Sequence, residues 1–222
     1  MAQLLKGYNS TIIAFGQTGS GKTYTLFGPE NGYNKVKKLG LIPRCLDYLF
    51  NELNNRENII KYAVNISIIE VYKEQLRDLL SIKKKKKRLD VYISTGNVII
   101  KNVTEKECND VNDILKYLIL AQTQRQIKVV EFDGHESSRS HEIVVINVKQ
   151  VLNDNSIVTS KLNFVDLAGS ELSTLNKGTY NRDMYKEAGK IHMGLMALEK
   201  CIAALITNKK HIPYQDSILT KL

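Results

Sequence analysis

The octapeptide Gly16-Gln17-Thr18-Gly19-Ser20-Gly21-Lys22-Thr23 constrains this chain more than any other feature. It fits G-x-x-x-x-G-K-[ST], the spacing that curls successive backbone N–H groups round a phosphate. Glycines are needed there because a Cβ would block the approach. The N-terminus of a following helix adds a partial positive charge. In such a loop Lys22 reaches the β- and γ-phosphates and the Thr23 hydroxyl ligates Mg2+. By composition, a chance match in 222 residues is on the order of one percent, so a merely structural glycine turn is the weaker reading. The flanks agree. Thr11 to Phe15 is apolar without alternation, which predicts a strand buried on both faces, and a helix is expected from Lys22.

A strand ending in an acid is the usual metal support of such a loop. Leu162-Asn163-Phe164-Val165-Asp166 supplies one, a Walker-B-type carboxylate holding Mg2+ through water. Asp166-Leu167-Ala168-Gly169 is also D-x-x-G, whose glycine N–H can meet a γ-phosphate. Elsewhere strands alternate with helices. Pro43 lies near the start of a helix in which Leu46, Leu49, Phe50 and Leu53 recur. Val64 to Tyr72 reads as a strand, Glu74 to Leu80 as helical, and Leu89 to Ile93 and Val98 to Lys101 as short strands. Asn109 or Asp110 caps a helix with Val111, Ile114, Leu115, Leu118 and Ile119 inward. Glu142 to Leu152 and Ile157 to Asp166 flank the turn cluster Asn153-Asp154-Asn155-Ser156, a long antiparallel hairpin. Leu172 to Tyr185 is polar and reads as a loop. Glu187 to Leu205 is a helix with Ile191, Leu195, Leu198, Ile202 and Leu205 on one face, and Pro213 opens a last helix. The alternation predicts an α/β layered domain without internal repeats.

Composition narrows the class. Apolar residues make up 43% and charged residues 25%, which excludes a disordered chain and a collagen-like repeat. No run of 18 apolar residues occurs, so no membrane span is expected, and Met1 to Lys6 lacks a secretory signal pattern. Cys45, Cys108 and Cys201 are far apart with no CxxC, which reads as three reduced thiols inside a cell. The net charge is +9, and six positive charges lie in Lys83 to Arg88, leaving +3 for the rest. An acidic partner is expected there, if anywhere, although a solvated insertion is the plainer reading. The run lacks the interleaved aromatics of a nucleic-acid surface. His141 and His192 have no neighbours at ligand spacing, so no metal is assigned to them.

Gly7 to Phe15 running into Gly16 to Thr25 resembles the kinesin motor domain. Ser137-Ser138-Arg139-Ser140-His141 is similar to that family's switch I motif, and Asp166-Leu167-Ala168-Gly169-Ser170-Glu171 to its switch II. Gly40-Leu41-Ile42-Pro43-Arg44, Glu70-Val71-Tyr72 with Arg77-Asp78-Leu79-Leu80, and His211-Ile212-Pro213-Tyr214 are kinesin-like as well. Three motifs stand in the family's order, and with the weaker matches the resemblance covers nearly the whole chain. The resemblance implies an α/β P-loop NTPase three-layer sandwich, a mixed central sheet flanked by helices. Residues 1–222 would be part of a motor domain, without its N-terminal strands and its C-terminal strand, helix and neck linker. The Thr11–Phe15 strand would then keep open hydrogen-bonding edges.

The resemblance also implies ligands and roles. ATP phosphates would lie on Gly16, Gln17, Thr18, Gly19, Ser20, Gly21, Lys22 and Thr23, with Tyr24 against adenine. Thr23, Ser138 and Asp166 would support Mg2+, Ser137 would place the attacking water, and Gly169 would sense the γ-phosphate. Arg139 and Glu171 would pair across the switches when that phosphate is present. The implied activity is a microtubule-stimulated ATP hydrolase of the cytoplasm and cytoskeleton. Its partner would be tubulin, with no membrane and with dimerisation only through regions outside this chain.

Three departures bear on that expectation. Switch I of the family reads N-x-x-S-S-R-S-H, whereas Gly134 stands at the asparagine position, and Arg125 to Ser137 is one residue longer than usual. The family's N-K-S-L is His192-Met193-Gly194-Leu195, and its P-Y-R-D-S-K-L-T is Pro213-Tyr214-Gln215-Asp216-Ser217-Ile218-Leu219-Thr220. Positive charge is thereby lost where the family meets acidic tubulin, which raises a second reading, a non-motile relative with weak or no turnover. A P-loop GTPase is a third, but Asn176-Lys177-Gly178-Thr179 lacks the acid of N-K-x-D.

Overall fold

In chain order the elements are β1 (Ser10–Ala14), α1 (Lys22–Phe27), α2 (Leu41–Asn55), β2 (Ile59–Tyr72), β3 (Gln75–Asp78), β4 (Asp90–Ser94), β5 (Asn97–Lys101), β6 (Lys106–Cys108), α3 (Val111–Glu131), β7 (His141–Leu152), β8 (Ile157–Asp166), α4 (Arg182–Ile206) and α5 (Ile218–Lys221). This computed structural model describes residues 1–29, 38–82, 88–94, 97–131, 139–171 and 182–222. The long hairpin forms as expected, β7 pairing with β8 from Glu142↔Asp166 to Val151↔Ile157. The sheet runs β1-β8-β7-β2-β3, with β6 also on β2. β1 is parallel to β8 and the other pairs are antiparallel, so the sheet is mixed.

Alternation along the strands sends successive side chains to opposite faces. Val64, Ile66, Ile68, Val144, Ile146 and Phe164 pack with Leu26 of α1, Leu46 and Leu49 of α2, and Ile114 and Leu118 of α3. Ile69, Val71, Ile143, Val145 and Val165 pack on the other face with Leu195 and Leu198 of α4 and Leu219 of α5. This is the three-layer α/β sandwich. Among the described residues no helix is long and apolar enough to cross a membrane. Cys45, Cys108 and Cys201 are free.

Several sequence expectations need correction. Among the described residues β1 stands at the edge of the sheet, and Ile13 is 45% and Phe15 68% exposed, so only the Ile12 side meets the core. Its β8 edge is paired and not open. Glu74 to Leu80 is not helical. Lys73 (φ 52°) and Glu74 (φ 59°) form a two-residue turn with both central residues left-handed, which reverses β2 into β3. Nothing in a Lys-Glu pair announces such a turn, since Asn-Gly is its usual signature. In α3, Asp110 is the cap, accepting the Asp113 N–H at 2.9 Å, and Ile119 points outward at 48% exposure. The buried stripe is Ile114, Leu118, Ala121 and Arg125. In α4 the small residues Ala197, Cys201 and Ala204 are buried, while Ile202 is 45% exposed. The helix begins at Arg182, taking in four residues expected to be loop, because extending a formed helix costs little. After Pro213 the chain makes a 3-10 turn (Tyr214–Asp216) before α5.

Candidate active site

β1 ends at Ala14 and delivers the chain to the phosphate loop, and α1 starts at Lys22. Gly16, Gly19 and Gly21 have φ of 150°, 78° and 89°, conformations that side chains with a Cβ rarely adopt. The loop is therefore folded as its glycines require. Lys22 Nζ donates to Gly16 O and Gln17 O, each at 2.9 Å, which lays the ammonium across the mouth of the loop. Tyr24 is exposed on α1. Across the sheet, parallel pairing sets Ala14 beside Asp166. That register brings the two distant motifs together, and Thr23 Oγ1 donates to Asp166 Oδ2 at 2.6 Å.

The Asp166 carboxylate fits a metal role. It is buried, and among the described residues its Oδ1 has no hydrogen-bond partner. Burial pushes this carboxyl above its ordinary value, against the downward pull of the Thr23 bond and the Arg125 and Lys22 charges. Among the described residues no group of three His, Cys, Asp or Glu could hold a metal by itself. Mg2+ suits such a site, because it takes one or two protein oxygens and completes its shell with phosphate and water.

Behind the site lies a buried charged row that sequence reasoning missed. Strand register aligns Arg77 with Glu70, Glu70 with Glu142, and Glu142 with Asp166. Arg125 of α3 lies over the three acids. Its Nη1 donates to Glu142 Oε2, its Nε is 3.7 Å from Glu70 Oε1, and its Nη1 is 3.9 Å from Asp166 Oδ2. Arg125 Nη2 donates to Ser140 Oγ at 3.0 Å. Burial pushes Glu142 above its ordinary value, although Arg125 pulls it down. The one available signal was Arg125's place on the buried stripe of α3. A lone arginine at helical spacing does not reveal that three strands set acids beneath it.

Switch II lies against the phosphate loop. Leu167 N donates to Ala14 O at 3.2 Å, and Ser170 N to Gly16 O at 3.1 Å. Glu171 reaches Thr18, its Oε2 accepting the Thr18 N–H at 2.8 Å and its Oε1 the Thr18 hydroxyl. Burial would raise the Glu171 carboxyl, but the Thr18 bonds and the Lys22 charge outweigh it and lower it. A Cβ on Gly169 would overlap both the Glu171 carboxylate and the Thr18 hydroxyl, side-chain ends that would have to shift to admit it. Glu171 here engages Thr18 of the glycine loop, whereas the Arg139–Glu171 pair is expected only when a γ-phosphate is present. Arg139 is half-buried just before Ser140. Ser137, Ser138 and Gly134, like Lys83 to Lys87, lie outside the described residues.

His141 ties the first switch to the second, its Nδ1 accepting the Ala168 N–H at 3.0 Å. Burial, helped by the Arg125 charge, pushes this imidazole down to about 4 from 6.5. A base depressed on folding is neutral in the native state, so its stabilisation is whole above pH 6.5 and is lost as pH falls toward 4. The expected loss is about 3 kcal/mol. Denaturant melts across this range, compared with His141→Asn, whose Oδ1 replaces the acceptor, should show that much less pH dependence in the variant. Beyond His141, an added Cβ on Gly194 of α4 would lie 3.6 Å from its Nε2, 3.3 Å from Glu74 Oε1 and 3.4 Å from Ser217 Oγ. Glu74 caps α5, accepting from Ser217 Oγ and Ile218 N, each at 2.7 Å. Sequence reasoning also missed Glu74, whose partners are 143 and 144 residues away.

Comparison with known proteins supplies the lineage. The kinesin motor domain family model matches residues 1–222. The kinesin-like protein Klp68D of Drosophila melanogaster is 36% identical over 223 residues, covering 100% of this chain and 27% of that protein. The kinesin heavy chain of the same organism is 37% identical over 225 residues, covering 100% of this chain and 22% of that protein. A solved fast kinesin superposes with a TM-score of 0.87 at 34% identity, over 99% of this chain and 61% of that one. The chain thus spans about a quarter of the length of these relatives. With the loop, the strand-end acid and the second switch in place on this sheet, the chain belongs to the kinesin motor-domain family.

Proposed function

We propose that this chain is the nucleotide-hydrolysing part of a microtubule motor, cleaving ATP with Mg2+ and coupling that event to tubulin binding. The observation that carries the reading is the junction of two remote motifs on one loop. Thr23 meets Asp166 at 2.6 Å, Ser170 meets Gly16 at 3.1 Å, and Glu171 meets Thr18. A bound Mg2+ would neutralise charge on the phosphate oxygens. The Thr23 hydroxyl, the Asp166 carboxylate and the Ser138 hydroxyl would hold it. Lys22 turns from the loop carbonyls to the phosphates, and the loop N–H groups fix their position, which is most of what phosphoryl transfer asks of a protein. Ser137 orients the attacking water. In the closed state Glu171 leaves Thr18 for Arg139, and Gly169 reports the γ-phosphate. Tyr24 packs on adenine.

Glu171→Ala tests the switch. It should still bind ATP, but turnover should fall about a hundredfold, the lower end of the loss when a preorganised contact is removed. Phosphate release by the 222-residue chain, with and without microtubules, reads both the activity and its coupling. Full turnover in the variant sinks the role of Glu171. A second reading, a non-motile relative, draws on α5. Ile218, where the family carries lysine, packs against the core of the α4 side, and Gln215 lies in the exposed 3-10 turn. Strong stimulation of wild-type turnover by microtubules would sink this second reading.

A further inference from the structure

The buried row poses a question of charge. Glu70, Glu142 and Asp166 stand side by side on neighbouring strands, with side chains on one face. Neighbouring strands are about 4.8 Å apart, so the three acids would repel strongly without a cation among them. Arg77 serves Glu70 at 3.3 Å from the outer strand. Arg125 serves the middle. Its contact with Glu142 is direct, while the same Nη1 stays 3.9 Å from Asp166 Oδ2, the oxygen that accepts from Thr23. Gln122, one turn earlier on α3, also donates to Glu142, at 3.2 Å to Oε2. Glu142 is fully buried, and two donors from one helix seat it.

We propose that Glu142 is a positioning residue: it holds the Arg125 guanidinium on the middle of the row and so leaves the Asp166 carboxylate to a divalent cation. The inference rests on the nucleotide reading above and adds a residue to it. Without the Glu142 charge, Glu70 and Asp166 are described carboxylates already within 4.0 Å of the guanidinium, and the Asp166 side lies within a short swing. An arginine on Asp166 cancels the charge that attracts Mg2+ and competes for the same oxygens. The middle acid therefore acts on the metal without touching it, as outer partners of metal ligands do.

Release of the fluorescent nucleotide mant-ADP, titrated with Mg2+ at fixed ionic strength, tests this without relying on turnover. Glu142→Gln keeps the shape and an acceptor for the guanidinium but loses the charge. It should need about tenfold more Mg2+ for half-maximal retention, the lower end of the effect of outer metal partners. Adding Arg125→Gln removes the competing cation, and the double variant should return to within about threefold of wild type. Replacing both partners of a buried ion pair costs less than removing one, so the double variant remains informative if the single one does not fold. A single variant that matches wild type, or a double variant that needs as much Mg2+ as expected of the single, overturns the assignment of Glu142. A wild type that retains no mant-ADP at any Mg2+ concentration overturns the nucleotide reading and this inference with it.

Discussion

Lys22→Ala should abolish nearly all of the thermal stabilisation that Mg·ATP is expected to give the wild type. The ammonium lies at the loop mouth on two carbonyls, Gly16 O and Gln17 O, so under the proposed function it would exchange these for phosphate oxygens without moving far. Two charge-assisted hydrogen bonds, at about 1.5–3 kcal/mol each, put the loss of affinity at a hundredfold or more. A ligand present at about 100 times its Kd stabilises the native state by about 2.7 kcal/mol. In a domain of this size that is roughly 5–10 °C in Tm. The wild type should show such a shift and the variant about 1 °C or less, each measured against its own unliganded melt. An equal shift in both would remove Lys22 from the site.

Gly40→Ala produces the largest loss of stability expected here. Gly40 caps α2 in an ordinary extended conformation, so its φ of −70° imposes nothing. Space does. A Cβ there would overlap Leu26 O, the Phe27 carbonyl carbon and Gly28 N, all of them backbone at the end of α1. Backbone cannot rotate aside as a side chain can, and Gly40 N is itself bonded to Phe27 O at 3.3 Å. The two helices must therefore part. Overpacking of this kind costs about 3 kcal/mol, or roughly 10 °C in Tm. Because α1 carries Lys22 and Thr23, nucleotide affinity should fall as well. A variant melting within about 2 °C of wild type would show that the junction yields easily.

What could be read in the sequence follows from how local each signal is. Gly16 to Thr23 is contiguous, and its glycines announce the left-handed backbone directly. Asp166 could be placed because a strand pattern ends on it. Joining the two needed only the rule that a strand-end acid serves the loop. Three other features were not legible, each for a physical reason. The Lys73-Glu74 turn adopts left-handed conformations without glycine or asparagine, held by β2–β3 pairing and by the bonds of Glu74 to α5. The Glu70–Glu142–Asp166 row exists only through register, which no single strand contains. The edge position of β1 depends on what pairs with it, and apolar runs look alike in the middle and at the border of a sheet.

Glu74 has a mechanical consequence. Its carboxylate grips α5 by two bonds of 2.7 Å, at the tip of a rigid two-strand turn. Hydrogen bonds have a short reach and are lost within about an ångström of stretching. Such a joint does not flex in proportion to load. Its loss would be that of a detent, α5 leaving the turn in one step rather than by gradual bending, and α4 passes beside the same carboxylate at Gly194.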